Sequence, residues 1–160
     1  MPTYYSPSFG ASRYGSATAV EQDERLKFAY ADFVNHDVAG QGILKLIWLP
    51  YRDIIIHPRL STFGSSAYTA SADIHLGVRY VNPDTDVEVY APTLWLDNVD
   101  GGSAQTVNQW GQVTGVVAGG LVPAANRFHT KNGLAIEAMV DTADMPLNGT
   151  LYVGVFYSTI

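Results

Sequence analysis

From Arg25 onward the chain is written in a period of two. In RLKFAYADFV (25–34), Leu26, Phe28 and Tyr30 alternate with Lys27, Ala29 and Ala31, the spacing of a half-buried strand. GILKLIWLP (42–50) is denser and places Trp48 in the core; it stops at Pro50, because proline cannot donate to a strand ladder. YRD reads as a tight turn before IIIHP (54–58), and RLSTF (59–63) continues that strand beyond a kink at Pro58. Further strands are expected at 70–81, 87–91, 93–99, 106–110, 121–128, 133–140 and 149–159. Gly, Pro, Asn and Asp clusters such as NPDTD separate them, and no segment keeps a helical period beyond two turns.

Nine or ten short strands at near-regular spacing, with no helices between them, specify an all-β chain with mainly antiparallel pairing. The strand count suits an antiparallel β-sandwich of jelly-roll type. One domain is expected over residues 21–160, preceded by an extended arm over 1–20. In the last strand, Leu151, Val153, Val155 and Tyr157 share one side, and Tyr152, Gly154, Phe156 and Ser158 share the other. Both sides are apolar, so this strand is expected between layers or against a neighbouring subunit.

The arm, MPTYYSPSFGASRYGSATAV, follows neither period, yet it carries Tyr4, Tyr5, Phe9 and Tyr14. Disordered tails are usually poor in such rings. Ordering about twenty residues costs on the order of 20–40 kcal/mol, whereas burying four rings returns roughly 15–25 kcal/mol. The arm therefore needs backbone partners as well, through strand addition or a groove. A latch onto neighbouring chains is expected; the alternative is folding back over its own sandwich.

Charge narrows the partners. Charged residues make up only 15% of the chain, so another chain covering part of the surface is in keeping. The net charge of −6 and nine scattered basic residues speak against nucleic acid. No apolar stretch approaches the roughly 20 residues of a membrane-spanning helix. The opening residues lack a basic start followed by an apolar run, and there is no cysteine. Maturation in a reducing cytoplasm is expected.

Catalytic chemistry finds little foothold. The histidines (36, 57, 75 and 129) lack the close spacing of a cupin-type metal site, though His57 and His75 would meet if their strands paired. Glu88 and Glu137 read as outward strand residues, not as the converging pair of a glycosidase. Asn82, Asp84, Asp86 and Glu88 alternate loosely like a calcium loop, but Pro83 makes a turn by itself and the glycine of an EF-hand is missing. Asn148-Gly149 reads as a hairpin turn into the last strand. Neither a metal nor a cofactor is expected. Trp95 and Trp110 lie nearer to loops; exposed together they would stack on sugars, and buried they would pack a loop-to-sheet junction or an interface.

Taken together, an aromatic, Ser/Pro-rich start running into a long strand (MPTYYSPSF to LKFAYADFV), then ILKLIWLPYRDIIIHPRLSTFGSS and ADIHLGVRYVNPDTD, resembles the capsid decoration, or cement, proteins of tailed bacteriophages. The resemblance implies a non-enzymatic virion protein made in the bacterial cytoplasm. It also implies binding to the major capsid protein on the outside of the shell and clamping of neighbouring subunits as a homotrimer. Tyr4, Tyr5, Phe9, Arg13 and Tyr14 are the expected anchors, since aromatics and Arg dominate interface energetics. A carbohydrate-binding or fibre-tip adhesion domain is the alternative. Deleting residues 1–20 is expected to abolish assembly and partner binding, as read by solution mass and co-sedimentation; a truncated chain that assembles unchanged rules out the latch.

Overall fold

The computed structural model describes residues 3–5, 26–35, 40–67, 72–107, 110, 116–117, 120–121 and 126–159. Its strands are β1 (Thr3–Tyr5), β2 (Lys27–Val34), β3 (Gly40–Leu49), β4 (Asp53–Ile56), β5 (Thr62–Ser65), β6 (Asp73–Asn82), β7 (Val87–Asp100), β8 (Gln105–Val107), β9 (Val116–Val117), β10 (Gly120–Leu121), β11 (Arg127–His129), β12 (Leu134–Met145) and β13 (Thr150–Thr159). Sheet A has the order β1-β3-β12-β6-β7 and sheet B has β11-β4-β13-β5-β8, with β2 also paired to β13, while β9 and β10 pair only with each other. All of these pairs are antiparallel except β1 with β3. The chain is thus the all-β antiparallel sandwich that its periodicity predicts.

The pairing is nested. β2 pairs with β13, β3 with β12, β5 with β8 and β6 with β7, as though one long hairpin had been rolled up. The core lies between the sheets. Leu44, Ile47, Leu76, Val78, Ile136 and Ala138 line it from sheet A, and Ile54, Phe63, Leu151, Val153, Val155 and Tyr157 from sheet B.

β4 and β5 behave as one strand with an insertion. Ile54–Ile56 pair with the end of β13 and Thr62–Ser65 with its middle, while a 3-10 turn at Pro58–Leu60 bulges out between them. The kink expected at Pro58 is there. Asn82 makes the expected turn between β6 and β7: its side chain accepts the Asp84 N–H at 2.9 Å, and its carbonyl accepts that of Asp86. Asn148 adopts φ 60°, a left-handed geometry that suits asparagine. Its turn carries the chain from sheet A to sheet B, so it joins layers where a hairpin was expected.

Two bulges change what faces out. In β3, Ile136 pairs with Ile47 but the next residue, Glu137, pairs with Lys45, leaving Leu46 as the extra residue. The alternation slips by one, so Ile47 and Leu49 enter the core and Trp48 turns to the outer face, half-buried. Trp48 is therefore not the core residue that unbroken alternation implies. In β7, the stretches 87–91 and 93–99 form one irregular strand. Pro92–Trp95 stand opposite the single residue Gly77, and Asp97–Asn98 opposite His75.

Gly77 is required by that excursion. A Cβ there would run into the Ala91 carbonyl oxygen and the Pro92 backbone, neither of which is a movable side-chain end. Gly77→Ala is expected to cost about 3 kcal/mol of stability, measured by urea unfolding; an unchanged midpoint would show that the excursion does not depend on this approach.

Candidate functional site

The two sheets present very different outer faces. On sheet B, the inward side of β13 is wholly apolar, and Leu151, Val153, Val155 and Tyr157 are all at 0% exposure. Their direct partners on β2 are Phe33, Ala31, Ala29 and Lys27, which must point the same way. Lys27 is accommodated at the sandwich end, donating to Thr159 Oγ1 at 3.0 Å with its ammonium 4.7 Å from the Tyr51 ring centre. Leu26, Phe28, Tyr30 and Val34, the larger apolar set, are left outside at 36–49% exposure, with the exposed Asp32 between the last two, opposite Tyr152.

Rings lie over glycines on this face. Phe28 packs on Phe156 with centroids 4.7 Å apart and covers Gly154, where a Cβ would approach its ring to 3.0 Å. Tyr30 stacks near Tyr152 at 6.4 Å, and the Tyr152 ring occupies the space a side chain at Gly64 would need. Gly64 and Gly154 therefore let the Tyr152 and Phe28 rings lie down on the sheet, with Tyr30 and Phe156 packed against them. Their edges and upper faces make an apolar patch on the order of 400 Å², the scale at which patches mark interaction sites.

On sheet A the outer face is charged. Arg79 Nε donates to both oxygens of Glu137, at 3.1 and 3.2 Å, and its Nη1 donates to Glu88. Its guanidinium also lies 3.9 Å from the Tyr90 ring centre. Lys45 Nζ is 3.5 Å from Glu137. Both glutamates face outward as expected, but Glu137 is only 2% exposed, because the β7 excursion crosses its cross-strand neighbour Gly77. A recess of about 270 Å³ opens beside this cluster, lined by Lys45, Trp48, Arg79, Glu88, Asn132 and Gly133 among others.

The histidines are dispersed. His57 lies beside sheet B with Nε2 2.9 Å from Ser158 Oγ, while His75 on sheet A sits between Asp97 (2.9 Å) and Asp141 (3.1 Å). They do not meet. His129 Nδ1 lies 2.6 Å from Asp53, and His36 falls outside the described residues. In the acidic turn, Asp86 is taken by Lys131 at 2.6 Å.

Of the expected anchors, Tyr4 and Tyr5 belong to β1, whose backbone runs parallel to the chain's own β3, Tyr4 opposite Leu44 and Tyr5 opposite Lys45. Phe9, Arg13 and Tyr14 lie outside the described residues. Trp95 and Trp110 are 1% and 3% exposed, so they form no sugar-stacking face. Their centroids are 5.0 Å apart, Trp95 meets Phe128 edge-on, and its Nε1 donates to Asn126 Oδ1 at 3.0 Å. The excursion at Pro92 turns Trp95 inward; strand alternation alone does not reveal that.

Burial drives the Glu137 carboxyl above its ordinary range, more than Arg79 and Lys45 pull it down. Its proton is therefore held to higher pH in the folded state than in the unfolded chain. The stability this contributes is complete below about pH 4 and declines as pH rises toward the folded value. Against wild type, Glu137→Gln is expected to gain stability as pH rises above about 4, levelling off once the folded carboxyl has ionised, on top of any constant loss from the broken ion pair. Urea unfolding across that range measures it, and a difference that moves the other way would contradict the burial cost.

No family model matches the chain. No curated protein matches it either. Among solved structures, a chain of the cyanophage Pam1 capsid asymmetric unit is similar, with a TM-score of 0.49 and 14% identity, covering 96% of this chain and 99% of that one. A likeness that loose carries no weight for function.

Proposed function

We propose that this is a non-enzymatic structural protein of a tailed-phage particle, a jelly roll that docks on the outside of the capsid shell and clamps neighbouring subunits. The observation that carries the reading is the outer face of sheet B, where Leu26, Phe28, Tyr30 and Val34 stand in water at 36–49% exposure beside Tyr152 and Phe156. A monomer in solution gains nothing from that arrangement; a docked one buries it. The nested strand order supports the jelly-roll form.

Area decides how the face is used. A stable interface buries about 800 Å² per partner, roughly twice what the patch offers. With Tyr4 and Tyr5 held in β1 beside β3 of sheet A, it is Phe9, Arg13 and Tyr14, in the part of the arm that leads into Leu26, that supply the remainder. Homotrimerisation multiplies each weak contact, since engaging one copy raises the effective concentration of the others. The partner in this reading is the major capsid protein and the location is the virion surface.

Phe28→Asp combined with Tyr30→Asp places charge on the patch without touching the core. The double variant is expected to stay folded and to lose shell binding at least tenfold in co-sedimentation. Wild-type protein that ignores shells, or a double variant that binds as well as wild type, would defeat the proposal.

A further inference from the structure

The recess on the outer face of sheet A is absorbed by neither the core nor the aromatic patch. Its lining combines two cations, Lys45 and Arg79, one carboxylate, Glu88, an amide, Asn132, and one indole, Trp48, while the buried Glu137 stands behind it, paired with both cations. The lining alone carries a formal charge of +1, and Glu137, bonded to both cations from behind, brings the cluster to zero. Arg79 is already committed to both carboxylates, so an anionic ligand would have to displace Glu88, and a cation would confront Lys45 and Arg79 at close range. Charge thus selects against ions of either sign.

The remaining chemistry is specific. Glu88 is 56% exposed and keeps acceptor capacity beyond its contact with Arg79. Asn132 is exposed and offers both a donor and an acceptor. The Trp48 indole crosses Gly133, whose φ of 109° and missing side chain let the ring lie there: a Cβ would come within 2.6 Å of it. Val81 and Ala135 extend the apolar wall. About 270 Å³ is the room taken by roughly nine waters, enough for a single pyranose ring. An apolar wall facing fixed, already paired polar groups matches a molecule with apolar C–H faces and hydroxyls around its rim.

We infer that this recess is a binding site for one neutral sugar unit, such as the terminal hexose or N-acetylhexosamine of a surface glycan. The C–H face of the ring packs on Trp48, and its hydroxyls reach Glu88, Asn132 and Lys45. Arg79 is a positioning residue: held by Glu137, Glu88 and the Tyr90 ring, it fixes the Glu88 carboxylate before any ligand arrives. Only one ring is gripped, so affinity for a free monosaccharide is millimolar, and repeated copies on a particle would supply avidity. The site stands independently of shell docking, because the two faces belong to different sheets.

The test titrates the full-length protein with glucose, galactose and N-acetylglucosamine, and with sialic acid and inorganic phosphate as charged counterparts. Binding is read from backbone amide and indole N–H resonances in two-dimensional NMR. At least one neutral sugar is expected to shift Trp48, Asn132 and Gly133 saturably at millimolar concentration, with the charged probes weaker. Glu88→Gln and Asn132→Ala, both exposed, should keep the fold and weaken binding about tenfold. Trp48→Ala should abolish it, with the two exposed variants deciding if that chain fails to fold. The inference is overturned by neutral sugars that leave these resonances unmoved, by phosphate or sialic acid binding more tightly than any neutral sugar, or by Glu88→Gln and Asn132→Ala binding as wild type does.

Discussion

The fold turns on one strand with no polar side. β13 has core residues along one face and Tyr152, Gly154 and Phe156 along the other, so it must be covered twice. It sits in the interior of sheet B, with β2 on one edge and β4 and β5 on the other, which satisfies its backbone. Sheet A covers its inner face. Cover on the outer face comes from rings donated by the same strand and by β2, lying over glycines. That cover is incomplete, because half-covered aromatic rings are themselves apolar surface.

The same strand explains why β2 faces the way it does. Its residues are opposed one-to-one to those of β13 from Lys27 to Val34, so the buried Leu151–Tyr157 set dictates which β2 residues enter the core. The inward set is Lys27, Ala29, Ala31 and Phe33. Reversing the face would put Leu26, Phe28, Tyr30 and Val34 inside, at the cost of burying the Asp32 carboxylate with them and sending Leu151, Val153, Val155 and Tyr157 out. Four fully buried side chains at about 1.5–3 kcal/mol each outweigh the partial exposure that remains. Apolar residues outside are thus the cheaper of two conflicts.

The strand pattern, the turn at Asn82–Val87, the kink at Pro58 and the two apolar sides of the last strand were all legible in the chain, because each depends on neighbours in sequence. The faces were less so. Which side of β2 is buried depends on a strand more than a hundred residues away, and the outward turn of Trp48 depends on one extra residue in a ladder. Trp95 likewise goes inside only because Pro92 starts an excursion opposite Gly77. Periodicity marks an alternation but not its phase, and a bulge resets that phase without leaving a composition signal. The recess on sheet A was unreadable for the same reason: Lys45, Arg79, Glu88 and Asn132 come from four separate segments, and the aromatic wall was counted as core.

Sheet A meets its outer surface differently, and its cost is informative. Burying Glu137 disfavours the charged form more than its two cations restore, and buried ion pairs of this kind seldom stabilise a fold over apolar residues of the same volume. Its neighbours on β12 show that the strand accepts small apolar side chains in this position: Ala135, on the same face, is 3% exposed. A carboxylate at 137 does one thing an alanine cannot, which is to hold both oxygens against Arg79 Nε and so orient the rest of the guanidinium toward Glu88. Sheet B spends exposed apolar area and sheet A spends a buried charge. Neither arrangement is what stability alone would select, and each leaves an ordered, chemically distinct surface facing outward.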